Sequence, residues 1–222
     1  MLSLVMTPVM TAGQSSNPEN DFQFWSDTSF SKPLTFGNDG RTELLSLNFG
    51  TTLRMFNDAT RPADRRLSIG LERRLNERFS IGTGYVFRSS NQTGSETETE
   101  HRLRIDGTAR LAVGELGIRL RSRVEHLMKV NDSDTTRFRQ RILLSHPINL
   151  RGSEIFSPFG SAELFYDLSD GRLTRDEFIV GVTRKINSNF SIEPIVGLRR
   201  NRSSSFRNVG IVGMNLKFSL PR

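Results

Sequence analysis

The sequence predicts an all-β chain, a closed antiparallel up-and-down transmembrane β-barrel of about ten to twelve strands. Three observations predict it. Apolar and polar residues alternate for eight to twelve residues at a time, as they do in strands with one buried face. The links between these segments are alternately short and long, and one face of the central segments is crowded with arginine.

Taken in order, residues 1–12, MLSLVMTPVMTA, are apolar and end in small residues before the polar stretch Gly13 to Asn20. They read as the later part of a secretory signal, without its positively charged start. Residues 1–12 are therefore assigned as a residual signal peptide and 13–222 as a single outer-membrane β-barrel domain, a normal size for one barrel.

From Asp21 onward the period is two. Eleven segments follow, near 21–31, 42–56, 65–75, 79–88, 100–112, 115–127, 136–145, 155–166, 176–186, 190–199 and 209–220. In the fourth, Phe79, Ile81, Thr83, Tyr85 and Phe87 form one face, with Ser80, Gly82, Gly84, Val86 and Arg88 on the other. In the last, Val212, Met214, Leu216, Phe218 and Leu220 lie opposite Ile211, Gly213, Asn215, Lys217 and Ser219. Bacterial single-chain barrels normally carry an even number of strands, so ten or twelve is expected, with the first segment the open one. Short turns at Asn76–Arg78, Val113–Gly114 and Asn187–Asn189 alternate with longer polar links at 89–99, 128–135, 167–174 and 200–208. Outer-membrane barrels have short periplasmic turns and long extracellular loops, which puts the carboxyl terminus on the periplasmic side.

The arginines fix which face points inward. With Val113–Gly114 as a two-residue turn, Ala112 pairs with Glu115, and the ladder sorts into two faces. Leu103, Ile105, Ala109 and Leu111 join Leu116, Ile118, Leu120 and Val124 on an apolar face. The other face pairs Arg102 with Glu125, Arg104 with Arg123, Asp106 with Arg121 and Thr108 with Arg119. The next segment adds Arg137, Arg139 and Arg141. With Arg110 this makes nine arginines in three segments. An arginine facing lipid at the midplane costs about 2 to 4 kcal/mol, so nine would cost roughly 20 to 35 kcal/mol, more than a domain's whole stability. In a membrane this face is the lumen. Glu163, and Glu177 opposite Arg199, extend the ionic lining. Phe79 and Phe87 at the two ends of one strand, with Phe138, Phe178, Phe190 and Phe218 near other strand ends, suit interfacial girdles.

Composition excludes other classes. A hydrophobic content of 35% beside 25% charged residues reads as soluble when taken alone, yet eleven half-apolar strands need a partner surface and no helical segment is there to cover them. No run reaches the roughly 18 apolar residues of a spanning helix. Cysteine is absent, which removes disulfides, thiolate metal sites and cysteine nucleophiles. Basic residues alternate along strands without stacking aromatics beside them, which argues against nucleic acid. The acidic residues Asp132, Asp134, Asp167 and Asp170 lie in links and lack calcium-loop spacing. No cofactor, metal site or catalytic residue is assigned.

The run Asp21-Phe22-Gln23-Phe24-Trp25, the run Arg137-Phe138-Arg139-Gln140-Arg141 and the stretch Ala162-Glu163-Leu164-Phe165-Tyr166 resemble a functionally uncharacterised family of bacterial outer-membrane β-barrels, a domain of unknown function. The likeness covers nearly the whole chain after residue 20. It implies residence in the outer membrane and supplies no catalytic residues. The arginine lining is also similar in character to that of small porins for acidic oligosaccharides, through shared physics and not a shared motif.

Two function classes follow. The first is non-enzymatic: a narrow channel or binding lumen for anions, with Arg102, Arg104, Arg119, Arg121, Arg123, Arg137, Arg139 and Arg141 as the ladder and Asp106, Glu125 and Glu163 as its acids. Arginine rings give anion selectivity, whereas the same residues closing on one another make a structural plug. The expected partners are outer-membrane lipid and lipopolysaccharide, a small anionic solute and the outer-membrane assembly machinery. The second is a lipid-modifying enzyme at the barrel rim. The same pairing puts His101 opposite His126 on the outward face, with Ser122 across from Ile105, but no orienting carboxamide or carboxylate is evident there. A soluble secreted β-sheet binding protein is the remaining reading.

Overall fold

The computed structural model describes residues 20–34, 45–56, 59–91, 97–150, 153–202 and 208–220; the assigned signal remnant, 1–12, lies outside them. Every expected segment is a strand over its described residues; 42–44 of the second segment lie outside them. The strands are β1 (Asn20–Leu34), β2 (Leu45–Phe56), β3 (Arg61–Arg74), β4 (Phe79–Ser90), β5 (Glu98–Val113), β6 (Leu116–Lys129), β7 (Thr135–Ser145), β8 (Ile148–Leu150), β9 (Ser153–Asp167), β10 (Arg172–Lys185), β11 (Phe190–Asn201) and β12 (Asn208–Ser219). Each strand except β8 pairs with two neighbours, and the ring runs β1 to β7, then β9 to β12, and back to β1. The three-residue β8 pairs only with the start of β9, beyond the ring.

The barrel itself therefore has eleven strands, and the even count expected from sequence does not hold. An odd up-and-down meander brings its first and last strands together in the same direction. The seam is accordingly parallel, from Asn20 beside Asn208 to Ser31 beside Ser219. Parallel ladders carry evenly spaced, slanted hydrogen bonds in place of the alternating antiparallel pattern. The two strands approach closely at Gly213, where a Cβ would collide with the Trp25 carbonyl oxygen. Only glycine fits there without moving the backbone.

Link length does not alternate as expected from sequence: the four-residue links 57–60 and 168–171 lie at the loop-bearing end and the ten-residue link 35–44 at the other, where the three tight turns 75–78, 114–115 and 186–189 also lie. Two of these turns are built alike, as apolar–Asn–x–x–Phe. In Leu75–Phe79 the Asn76 Oδ1 accepts the backbone N–H groups of Arg78 and Phe79, both at 2.9 Å. In Ile186–Phe190 the Asn187 Oδ1 accepts that of Asn189 at 2.9 Å. In both, the leading apolar residue donates its N–H to the phenylalanine carbonyl at 2.9 Å. Asparagine side chains close tight turns in this way because they imitate a backbone carbonyl. β12 ends at this same end, while β1 begins at the opposite, loop-bearing end.

The third short turn corrects the sequence reading. Val113 pairs with Leu116, so the two-residue loop is Gly114–Glu115, not Val113–Gly114. Gly114 has φ +58°, as the first position of a type II′ hairpin turn requires. A valine there would be strained by its branched Cβ. The whole β5–β6 ladder is displaced by two residues from the expected one.

A displacement by an even number preserves faces. The outward face is apolar, with Leu67 60% and Ile105 61% exposed. Phe30, Phe218 and Phe190 stack across the seam at the short-turn end, with ring centroids 4.9 and 4.7 Å apart, and Phe49 pairs beside Phe30. An apolar surface of this extent around a closed barrel matches a hydrocarbon surround far better than water.

Candidate functional site

The inward face is charged. All nine arginines of β5, β6 and β7 point into the lumen, as do Asp106, Glu125 and Glu163, since they share the parity of the buried Arg102, Arg123, Glu125 and Glu163. Their pairing differs from the expected pairing. Arg102 stands across from Leu127, Arg104 from Glu125, Asp106 from Arg123, Thr108 from Arg121 and Arg110 from Arg119.

Four buried carboxylates act as hubs. Glu125 takes Arg137 at 2.6 Å, Arg139 at 2.9 Å and Arg123 at 3.3 Å. Glu163 takes Arg121 at 2.8 Å and shares Arg139 at 2.9 Å, so one guanidinium bridges two hubs. Glu177 holds Arg199 at 2.9 Å, opposite it on β11 as expected from sequence. Asp64 holds Arg66 at 2.5 Å and Arg88 at 3.1 Å. Asp106 bonds to Arg123, and Glu100 to Arg102. Buried ions are tolerable only when each is paired and hydrogen-bonded, and a carboxylate with two or three guanidiniums meets that condition.

Sequence reasoning missed part of this lining. Arg54, Arg66 and Arg88 come from β2, β3 and β4, where no run of arginines at every second position marks the inward face. Trp25, 2% exposed, faces inward, not toward an interface. Its ring lies between two guanidiniums, Arg54 at 3.8 Å and Arg199 at 4.2 Å, and packs on Val209 and Ile211. Phe165 plays a similar part for Arg139 at 4.4 Å, Arg175 at 5.3 Å and Arg137 at 5.4 Å. Cations over aromatic faces are worth about 0.5 to 2 kcal/mol each.

Two cavities remain within the lumen, of about 510 and 210 Å³. Arg104, Arg119, Arg121, Arg123, Arg141 and Leu143 line both, forming a curtain between them. The larger is lined by ten cationic side chains against five carboxylates, and it reaches Ser145, the last residue of β7, and Lys217 near the end of β12. Among the described residues its acids are engaged: Glu125, Glu163 and Glu177 as above, Asp27 by Thr52, and Glu193 by Lys217 and by Thr183 at 2.7 Å. Arg141 donates to Ser161 Oγ at 3.1 Å and, like Arg119, makes no ion pair among the described residues. The cavity is thus a concave surface with uncompensated guanidinium charge.

The outward histidines do not form the expected constellation. His101 stands across from Met128 and His126 from Leu103, and Ser122 lies across from Gly107, not Ile105. The Tyr85 hydroxyl meets His101 Nδ1 at 2.6 Å, while His126 Nδ1 meets Thr136 Oγ1 at 3.1 Å. Ser122 donates to Gln140. Four residues along one strand separate Ser122 from His126 by about 13 Å, beyond proton-transfer reach. The loop acids serve the turns: Asp167 Oδ1 accepts the N–H groups of Ser169 and Asp170, and Asp170 pairs with Arg172. The Lys129 hydrogen bond at 2.6 Å and the Ser133 N–H hold the Asp132 carboxyl below its usual range.

Residues 22–209 match the family described as "Protein of unknown function (DUF2490)", and the chain belongs to it. Among curated proteins none matches in sequence. Two solved structures share the fold. A "Bacterial polysaccharide outer membrane secretin" is 11% identical with a TM-score of 0.52, over 82% of this chain and 77% of that one. "LpxR from Salmonella typhimurium" is 10% identical with a TM-score of 0.52, over 86% and 87%. The fold is that of outer-membrane β-barrels.

Proposed function

We propose that this member of the DUF2490 family resides in a bacterial outer membrane and uses its lumen to bind a multiply charged anion, with acidic oligosaccharides as the solute class, behind an ionic plug that keeps the resting barrel closed. The observation that carries this reading is the cation excess of the larger cavity. Even with Asp64, Glu100 and Asp106, which pair with its Arg66, Arg102 and Arg123 from outside the lining, ten cations meet eight carboxylates, and Arg119 and Arg141 make no ion pair among the described residues. Guanidinium groups in a partly desolvated concavity bind carboxylate and sulfate groups by charge-assisted hydrogen bonds. The plug is supported by Arg139, which ties Glu125 on β6 to Glu163 on β9 across β7, and by the Trp25 and Phe165 rings packed against guanidiniums. Residence in the outer membrane is supported by the outward apolar face and the fold it shares.

Calorimetric titration of the detergent-folded protein tests the reading. An oligosaccharide of uronic acids should bind with an affinity that falls as salt rises, and a neutral oligosaccharide of equal length should not. Arg119→Gln with Arg141→Gln, which removes two charge-assisted contacts, should weaken the acidic ligand at least about tenfold. Equal binding of the neutral and acidic sugars contradicts the proposal.

A further inference from the structure

A second cationic site lies outside the lumen. On the outward side of β10 and β11, near the loop-bearing end, the Asp176 carboxylate is 2% exposed because two guanidiniums cover it. Arg200 Nε reaches its Oδ2 at 2.8 Å, and Arg202 reaches its Oδ1 through Nη2 at 2.9 Å and Nε at 3.3 Å. Both arginines remain half in the open, with side chains 53% and 52% exposed. Two cations on one anion leave a net positive charge facing away from the barrel.

What lies beside this trio on the same face sets its depth. The next outward residues along the strands are Phe178 and Val180 below Asp176, and Leu198 and Val196 below Arg200, all exposed and apolar. One outward step spans two residues, about 6.6 Å along a strand, so the guanidiniums stand at the upper edge of the hydrocarbon-facing belt, level with the exposed Leu164 and Tyr166 of the neighbouring β9. Arg200 also lies 5.7 Å over the Phe178 ring, which anchors its stem along that belt. Arginine in the middle of this face would be costly, and near the interface it costs about 0 to 1 kcal/mol. A pair held at that level by a buried carboxylate is a positioned fork, and its half-exposed guanidiniums keep N–H donors open to an anion.

The geometry points to a binding site for the phosphate monoester of a lipid headgroup, formed by Arg200 and Arg202 and positioned by Asp176, in the leaflet at the loop-bearing end. Fixed guanidinium pairs recognise phosphate through parallel charge-assisted hydrogen bonds, and the apolar belt beneath receives the acyl chains of the same molecule. The site is separate from the lumen, so it stands or falls independently of the anion-binding reading above.

Native mass spectrometry of the detergent-folded full chain tests it, with phosphatidic acid as probe and diacylglycerol of the same acyl chains as control. The protein should retain phosphatidic acid in preference to diacylglycerol. Arg200→Gln with Arg202→Gln, which removes both charge-assisted contacts, should reduce that retention at least about tenfold and leave diacylglycerol uptake and the acidic-sugar affinity unchanged. Equal retention of the two lipids by the native protein overturns the proposal whether or not the variant folds. Retention undiminished in a variant that keeps its heat-modifiable gel migration also overturns it. Displacement of the lipid by inorganic phosphate at equal concentration would identify a free-phosphate site and overturn the assignment to lipid.

Discussion

The two walls of the lumen are built from different chemistry. The wall of β5, β6 and β7 presents nine arginines and is held by Glu125, Glu163 and Asp106. The wall around the seam, formed by β10, β11, β12 and β1, turns Ile179, Ile195, Val209, Ile211 and Trp25 inward beside Gly181, Gly197 and Gly213. The first wall carries mutually repelling cations that stay compact only because a few acids are shared. The second balances its charges in pairs, Glu177 with Arg199 and Glu193 with Lys217, and sets them among small and apolar side chains that let strands approach. The contrast separates two roles: the seam wall closes the barrel, and the arginine wall gives the interior its charge. The walls meet where Arg54 and Arg199 clasp the Trp25 ring.

The sharpest way to break this division is at its most loaded acid. Glu125→Gln strips Arg137 of its ion pair and leaves Arg123 and Arg139 held only by Asp106 and Glu163. Removing one partner of a buried ion network costs about 3 to 5 kcal/mol, read as a lowered urea midpoint for the folded form on gels. In planar bilayers the same variant should pass an anion-selective current that the native protein lacks. On the opposite wall, Trp25→Ala removes a buried ring and both stacked cations. It should cost about 3 to 4 kcal/mol in the same urea assay without opening an anion-selective path, because the arginine hubs stay paired.

Smaller effects sharpen the comparison. Gly213→Ala pushes a methyl group against the Trp25 carbonyl and should destabilise the parallel seam by about 1 to 3 kcal/mol, the usual cost of overpacking. Hydrogen exchange should rise first in β1 and β12. At the small end, Arg119→Gln removes a cation that makes no ion pair among the described residues, so unfolding should shift by less than about 1 kcal/mol while acidic-sugar affinity falls.

Much of the fold is legible in the sequence, because period-two alternation marks each of the eleven long strands and separates its faces. The arginine face was readable for the same reason, and it survived the misplaced turn: a ladder displaced by two residues changes every partner and no face. The partners themselves were not readable. Which residue of Val113, Gly114 and Glu115 begins the loop depends on the positive φ at Gly114, and that choice moved Glu125 from Arg102 to Arg104. Trp25 was invisible as a lumen residue because its neighbours come from β2, β11 and β12, and only ring closure brings those strands together. Some pairs were within reach of the sequence. Arg66 with Asp64, Arg102 with Glu100 and Arg123 with Glu125 are two apart on one strand, and side chains at that spacing share a face. The even strand count expected for bacterial barrels failed because nothing local records how the ring closes.

The sidedness of the strands underlies all of this and can be measured directly. Nitroxide labels placed one at a time at Leu103, Ile105, Arg104 and Arg121 in liposome-reconstituted protein should divide by parity. Collisions with oxygen, which partitions into hydrocarbon, should be frequent at 103 and 105 and rare at 104 and 121. Frequent collisions at 104 and 121, with 103 and 105 instead accessible to a water-soluble nickel reagent, would contradict the account.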